Sequence, residues 1–266
     1  MISGYCCRKT FFVAALAAIS ILPGGTGAQD APQVDNTPPT PVPKAAGLVQ
    51  LFDGAPESLA AHWTQSGKPP QWTVENGAMT TVKGDIQTLD KYTDFQLHVE
   101  FRVPYMPDKK GQARGNSGVK LQGRYEIQVL DSYGIHEPGS GDCGAVYHQY
   151  APLVNACKPP LQWQTYDISF RAPRFDSQSH AMTEPARVTV LQNGLIVQNG
   201  QVINGPTSVP RPKKNADGTV VPPPPSSEDL STPGPIRLQY HGNTVAFRNI
   251  WIVPLPTQPV TRYEPK

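Results

Sequence analysis

The chain has 266 residues, of which 30 are proline and 23 glycine, and a formal net charge of +2. One residue in five being Pro or Gly is high for a compact domain, yet below the roughly 25–30% of low-complexity chains. Without a collagen repeat, sustained heptads or serial long apolar spans, collagen, coiled coil and multi-span membrane protein are excluded. The length suits one sizeable β domain or two small domains.

Residues 1–28 read as a secretory signal peptide. Arg8 and Lys9 precede an apolar run over 11–22 that is too short to span a bilayer, and Thr26-Gly27-Ala28 offers small residues before a cut at Gln29. The Pro23-Gly24-Gly25 break argues against an anchor helix. Cys6 and Cys7 precede the apolar run, whereas a lipid-attachment cysteine would follow it. Cleavage would leave 21 basic and 21 acidic residues, without the basic excess of a nucleic-acid binder and without a transmembrane segment. Export is therefore expected, to the periplasm, the cell envelope or the medium. Two cysteines would remain, Cys143 and Cys157, and an oxidising compartment predicts a disulfide between them. Closing that loop would stabilise the fold by roughly 3 kcal/mol.

Residues 29–46 are polar and Pro-rich and read as an extended linker. The domain is expected over 47–257, from the Leu51-Phe52-Asp53-Gly54 region onward, with a tail over 258–266. Short runs of period-two alternation follow, broken by Gly, Pro and Asn, and no long amphipathic helix intervenes. This pattern predicts an all-β sandwich or barrel. In 95–103 the odd positions are apolar, and Gln96, His98, Glu100 and Arg102 face away from them. Over 119–129 the apolar face carries Val119, Leu121, Tyr125, Ile127 and Val129, opposite Lys120, Gln122, Arg124, Glu126 and Gln128. Residues 166–171 and 236–241 alternate likewise, the latter setting Arg237, Gln239 and His241 on one face. Asn193-Gly194 predicts a hairpin turn. A long Pro-rich loop is expected over 205–234, a length that is uncommon inside a domain.

Five long hydrogen-bonding side chains in a row, Lys120 to Gln128, suit a sheet face that grips a polyhydroxylated ligand, although a solvated face can look similar. Beyond Gln128 the alternation slips, and a bulge there would return Asp131 to the face of Glu126. The run Glu126-Ile127-Gln128-Val129-Leu130-Asp131 then resembles the E-x-D-x-x-E strand of laminarinase-type glycosidases, with Gln128 in place of the helper Asp and Asp131 in place of Glu. Retaining hydrolysis needs carboxyl groups about 5–5.5 Å apart, which two residues this far apart on a strand do not readily supply. His241 is the histidine expected on the polar face. The others (His62, His98, His136, His148, His180) show no zinc-binding spacing, no cofactor motif occurs, and the sequence leaves a divalent metal open. Trp63, Trp72 and Trp163 are expected in the core or at its rim.

The segments LFDG, GNSGVKLQGRYEIQVLDSYG, CGAVY, APLVNACKPPLQWQTYDISFRAPRFD, PARVTVLQNGLIVQN and GPIRLQYHGNTVAFRNIWIVPL, taken in order over 47–255, closely resemble the 3-keto-disaccharide hydrolase-like family. The resemblance implies a concanavalin/laminarinase-like jelly roll, export to the cell envelope, and cleavage of glycosides already oxidised to a ketone at the third sugar carbon. Such a substrate can react by proton abstraction beside the ketone, elimination of the glycosidic oxygen and hydration. By matching position, Glu126, Asp131 and His241 are the proton-handling candidates. Lys120, Gln122, Arg124, Gln128, Arg237 and Gln239 are the substrate-binding candidates. Family members commonly read LQDHG where this chain reads LQYHG, and tyrosine where it has Lys120, so Tyr240 and Lys120 alter the local charge. The reading from a different class is a non-catalytic carbohydrate-binding module on the same fold.

Overall fold

The computed structural model describes Met1 and residues 32–207, 213–214, 217–221 and 229–257. The expected signal peptide beyond Met1, the prolines at 222–225 and the tail from 258 lie outside the described residues. The described residues from Pro32 onward form one compact unit. No described helix is long and apolar enough to cross a membrane.

Two antiparallel sheets enclose a single apolar core. The larger contains β1 (Val49–Phe52), β3 (Thr73–Glu75), β4 (Ala78–Thr80), β6 (Asp94–Arg102), β9 (Gln164–Arg171), β12 (Arg187–Gln192), β13 (Leu195–Val202) and β17 (Ala246–Leu255). Its order is β13-β12-β9-β6-β17-β4-β3, with β1 also on β17. The smaller contains β2 (Trp63–Thr64), β5 (Ile86–Thr88), β7 (Ser117–Leu121), β8 (Tyr125–Val129) and β16 (Arg237–Leu238), ordered β2-β5-β16-β7-β8. Two short ribbons complete the strands, β10 (Arg174–Phe175) with β11 (Met182–Glu184) and β14 (Lys213–Lys214) with β15 (Val220–Val221). A short α-helix, α1 (Pro56–His62), opens with proline at its first turn and buries Leu59.

The core is built from the predicted alternation. Phe95, Leu97, Val99 and Phe101 of β6 meet Val119, Leu121, Tyr125 and Ile127 of the smaller sheet in one buried cluster. Tyr125 packs on Phe170 at 5.5 Å between ring centroids, and the Tyr166 hydroxyl donates across the core to the Gln128 carbonyl at 2.5 Å. Truncating an aromatic of this layer should cost about 3–5 kcal/mol. Trp63, Trp72 and Trp163 are buried, as expected, and Asn193-Gly194 makes the predicted turn with φ of 52° and 81°.

Two expectations are corrected. Residues 119–129 are a hairpin, β7–β8, rather than one strand. Gln122 and Gly123 take φ of 52° and 69°, and the Arg124 amide donates to the Leu121 carbonyl at 3.1 Å. Glycine favours the left-handed φ that this turn requires at position 123. Cys143 and Cys157, the expected pair, lie side by side and are thiols in this structure. They sit together against Gln192, whose amide lies 3.5 and 3.2 Å from the two sulfurs, and they pack as small apolar groups.

The second correction concerns the Pro-rich segment, which from residue 32 is a docked strap rather than a linker. It covers a buried ionic cluster on the outer side of the larger sheet, where His98 and Glu100 are 2% and 1% exposed. A bulge in β17 places Asn249 at φ 47°, so Arg248 and Asn249 both reach Glu100, at 2.6 and 2.8 Å. The strap supplies the Thr40 amide to Glu100 at 2.6 Å and the Thr37 carbonyl to Arg248 at 2.8 Å. Asp35 accepts from the Trp163 amide at 3.0 Å. A buried carboxylate needs such partners, because an unpaired one costs several kcal/mol.

His98 stacks on Trp251 at 5.0 Å, and its Nδ1 lies 2.6 Å from Asp167 Oδ1. Burial alone would lower its pKa. Hydrogen bonding and charge from Asp167 and Glu100 outweigh that and raise it to about 9. The folded-state pKa lies above the unfolded value near 6.5, so the stabilisation is complete below pH 6.5 and lost as pH rises through 9. The thermal midpoint should therefore fall across that window, and His98→Gln should flatten this part of the profile when unfolding is followed by circular dichroism.

Candidate active site

The outward side of the smaller sheet is where the sequence placed its chemistry, and register fixes the arrangement there. Thr64 pairs with Gln87, Gln87 with Arg237, Arg237 with Lys120, and Lys120 with Glu126. Direct cross-strand partners share a face, so these five residues form one row across all five strands. A parallel row is set by Gly118 opposite Gln128 and by the Gln239 amide donating to the Gly118 carbonyl at 3.0 Å. His241 lies three residues past the end of β16, is exposed, and is near enough for its charge to act on Glu126.

Glu126 is the centre of this face. Its Oε2 lies 3.4 Å from Lys120 Nζ, and both side chains are at least nine-tenths buried. The carboxylate leans over Gly118: a Cβ there would stand 2.5 Å from Glu126 Oε1 and 2.9 Å from Cδ. One end of the Gln128 side-chain amide lies 3.1 Å from Oε1, and the orientation that satisfies both of its ends turns the NH2 group there to donate. The Glu126 backbone is held by Thr207 Oγ1 at 2.9 Å and by the Tyr147 amide at 3.0 Å. Burial raises the Glu126 pKa, Lys120 and His241 oppose the rise, and Asp85 adds to it. A buried carboxylate of raised pKa beside an ammonium group on a polar face marks Glu126 as a candidate functional group.

Around it, an amide cluster joins three segments. Gln112 meets the opposite end of the Gln128 amide at 3.0 Å, and its Oε1 lies 3.1 Å from Asn116 Nδ2 and 3.5 Å from the Tyr147 hydroxyl. Residues 144–147 pair irregularly along β8, which brings Tyr147 to this cluster. Asp85 accepts the Tyr240 amide on Oδ1 at 2.9 Å. The Gln239 Oε1 is buried without a hydrogen-bond partner among the described residues.

Lys120, Glu126, Gln128, Arg237, Gln239 and His241 are thus brought together, and three candidates are not. Asp131 lies beyond the end of β8, where no bulge returns it to Glu126. Its Oδ2 pairs with Arg114 Nε at 3.3 Å, and burial raises its pKa against that pairing. Gln122 is buried in the hairpin turn and donates to the Tyr92 carbonyl at 3.0 Å. Arg124 clamps the returning loop through the carbonyls of Asp229 and Thr232, each at 2.9 Å. Asp85, Gln87, Gly118 and Tyr147 were not singled out by sequence as site residues. Asp85 and Gln87 alternate with Ile86 and Thr88, a signal too short to stand out. Among the described residues, no three His, Cys, Asp or Glu side chains converge at metal-ligand spacing.

Gly118→Ala should force the Glu126 carboxylate aside. A loss of about 1–3 kcal/mol by chemical denaturation, with a displaced Glu126 in the crystal structure of the variant, is expected. Lys120→Met should raise the Glu126 titration midpoint in carboxyl NMR, because it removes the larger of the two opposing charges.

The family model of the 3-keto-alpha-glucoside-1,2-lyase-like domain matches residues 47–253. A candidate glycosyl hydrolase from Parabacteroides distasonis ATCC 8503 is similar at 35% identity and a TM-score of 0.66, over 83% of this chain and 95% of its own. A second such structure from that organism shares the fold at 24% identity and a TM-score of 0.50, over 78% of this chain and 99% of its own. A third does so at 19% and 0.51, over 79% and 94%. No curated protein matches the chain. The jelly-roll sandwich expected from the sequence is the architecture observed. Since the family model spans the sandwich from its first strand almost to the end of its last, the chain belongs to the 3-keto-alpha-glucoside-1,2-lyase-like domain family.

Proposed function

We propose that this domain cleaves glycosides carrying a ketone at the third sugar carbon, with Glu126 as the base. The observation that carries this reading is a buried carboxylate of raised pKa in contact with Lys120 on an otherwise polar sheet face. The ketone acidifies the hydrogen on the second carbon. Glu126 takes that proton, and the C–H electron pair becomes the enolate. Lys120 stabilises the enolate oxygen, a role that the clamped Arg124 does not reach. The enolate then reforms the ketone as the bond from the first carbon to the glycosidic oxygen breaks. His241, when protonated, gives its proton to the leaving oxygen, and water adds across the resulting double bond to yield the free keto sugar.

The geometry favours elimination over the retaining mechanism suggested by the E-x-D-x-x-E likeness. Asp131, the residue needed as second carboxyl, is engaged by Arg114 away from Glu126. Proton abstraction beside a ketone needs no carboxylate pair at about 5–5.5 Å. Export belongs to the same reading and is supported by Arg8, Lys9 and the apolar run over 11–22.

Incubation with 3-keto-disaccharides and their unoxidised parents tests the proposal. Free sugar should be released from the oxidised set, and release from neither set would sink the enzymatic reading in favour of a binding module. Glu126→Gln should lower kcat by about 10²–10⁴-fold while substrate binding is retained. Because the base must be ionised, turnover should fall as pH drops, with its acidic midpoint above the ordinary carboxylate value of 4.5.

A further inference from the structure

On the polar face, Arg237 makes no ion pair among the described residues. Lys120 and Arg237 are direct cross-strand partners, so their Cβ atoms stand about 4.5–5.5 Å apart. Like charges placed opposite one another are destabilising unless anions answer both. Glu126 answers Lys120. The hydrogen bond of the Arg237 guanidinium is to a neutral group, from Nη2 to Gln87 Oε1 at 3.1 Å. The neighbouring charges are engaged elsewhere: Arg114 with Asp131, Arg124 with the carbonyls of the returning loop, and Asp85 with the Tyr240 amide.

The guanidinium is also held in place. Its Nη2 would lie 3.7 Å from a Cβ built on Gly123, so it reaches over the β7–β8 turn while Glu126 leans the other way, over Gly118. Lys120 stands between the two. A half-buried guanidinium kept short of an acid, two strands from the base, is suited to a carboxylate carried by the substrate.

We propose that Arg237 anchors the carboxylate of a uronic acid residue in the glycoside that occupies this face. The proposal rests on the glycosidase reading of the site and adds its substrate class. Glu126 and Lys120 would act on the keto sugar, and Arg237 would select for a negative charge toward the turn end of the face.

Calorimetric titration of the full chain with an unoxidised disaccharide containing glucuronic acid, and with its glucose counterpart, tests this without turnover. The uronate should bind at least tenfold more tightly at low salt. That preference should shrink as salt screens the charges and vanish in Arg237→Gln. Arg237→Lys keeps the charge without the two-pronged geometry and should retain part of the preference, which covers the case in which the glutamine variant folds poorly. Equal binding by the wild-type protein, an undiminished preference in Arg237→Gln, or tighter binding of a sulfated counterpart than of the uronate would overturn the proposal. Absence of turnover on keto-disaccharides would bear on the hydrolase reading alone, since charge preference is read from binding.

Discussion

One constraint organises the molecule: two sheets must share a single apolar core. Phe95, Leu97, Val99 and Phe101 on one side and Val119, Leu121, Tyr125 and Ile127 on the other are excluded from water together. Burying each such side chain contributes roughly 1.5–3 kcal/mol, enough collectively to dictate which face of every strand turns inward. A register slip by one residue would expose the whole inward set. The outward residues therefore have no freedom of placement. Thr64, Gln87, Arg237, Lys120 and Glu126 stand in a row because Trp63, Ile86, Leu238, Val119 and Ile127 are held in the core.

The two sheets treat buried charge differently. Glu100, outside the larger sheet, receives Arg248, Asn249 and the Thr40 amide, and the strap closes over it. Hydrogen bonds and charge bring its pKa well below the ordinary range despite burial, so it stays ionised and bound. Glu126 has less compensation, and burial prevails, so its proton affinity rises. A carboxylate whose hydrogen bonds are complete serves stability, whereas one poised above its usual pKa can exchange a proton during a reaction. Gly118 contributes by leaving the space into which Glu126 leans.

Much of this was legible in residue order. Period-two alternation identified the sandwich and its inward face, Asn-Gly marked the β12–β13 turn, and Glu126, Lys120 and Gln128 emerged as a polar set. The β7–β8 hairpin was missed for a definite reason. Leu121 pairs with Tyr125, four positions on, so parity is preserved through the turn and the alternation continues as if the strand had not reversed. Gln122 and Arg124 entered the binding face through that continuity. Asp131 entered through a bulge that the chain does not make, since Arg114 takes it first. The Pro-rich strap looked like a linker because its contacts are made largely by backbone groups, which leave no trace in side-chain pattern.

By itself, the sequence determined the all-β architecture, the core face of each long strand and the identity of the central carboxylate. These follow from local alternation and from the few residue types able to do the chemistry. Only the tertiary structure decided which strands are neighbours, and hence that Arg237 stands beside Lys120 and that Glu126 rests over Gly118. It alone decided that Asp131 is drawn to Arg114, that the strap caps Glu100 and that Cys143 and Cys157 lie side by side. Strand order and long-range pairing arise from how the sheets close on their common core, which no single stretch of chain encodes.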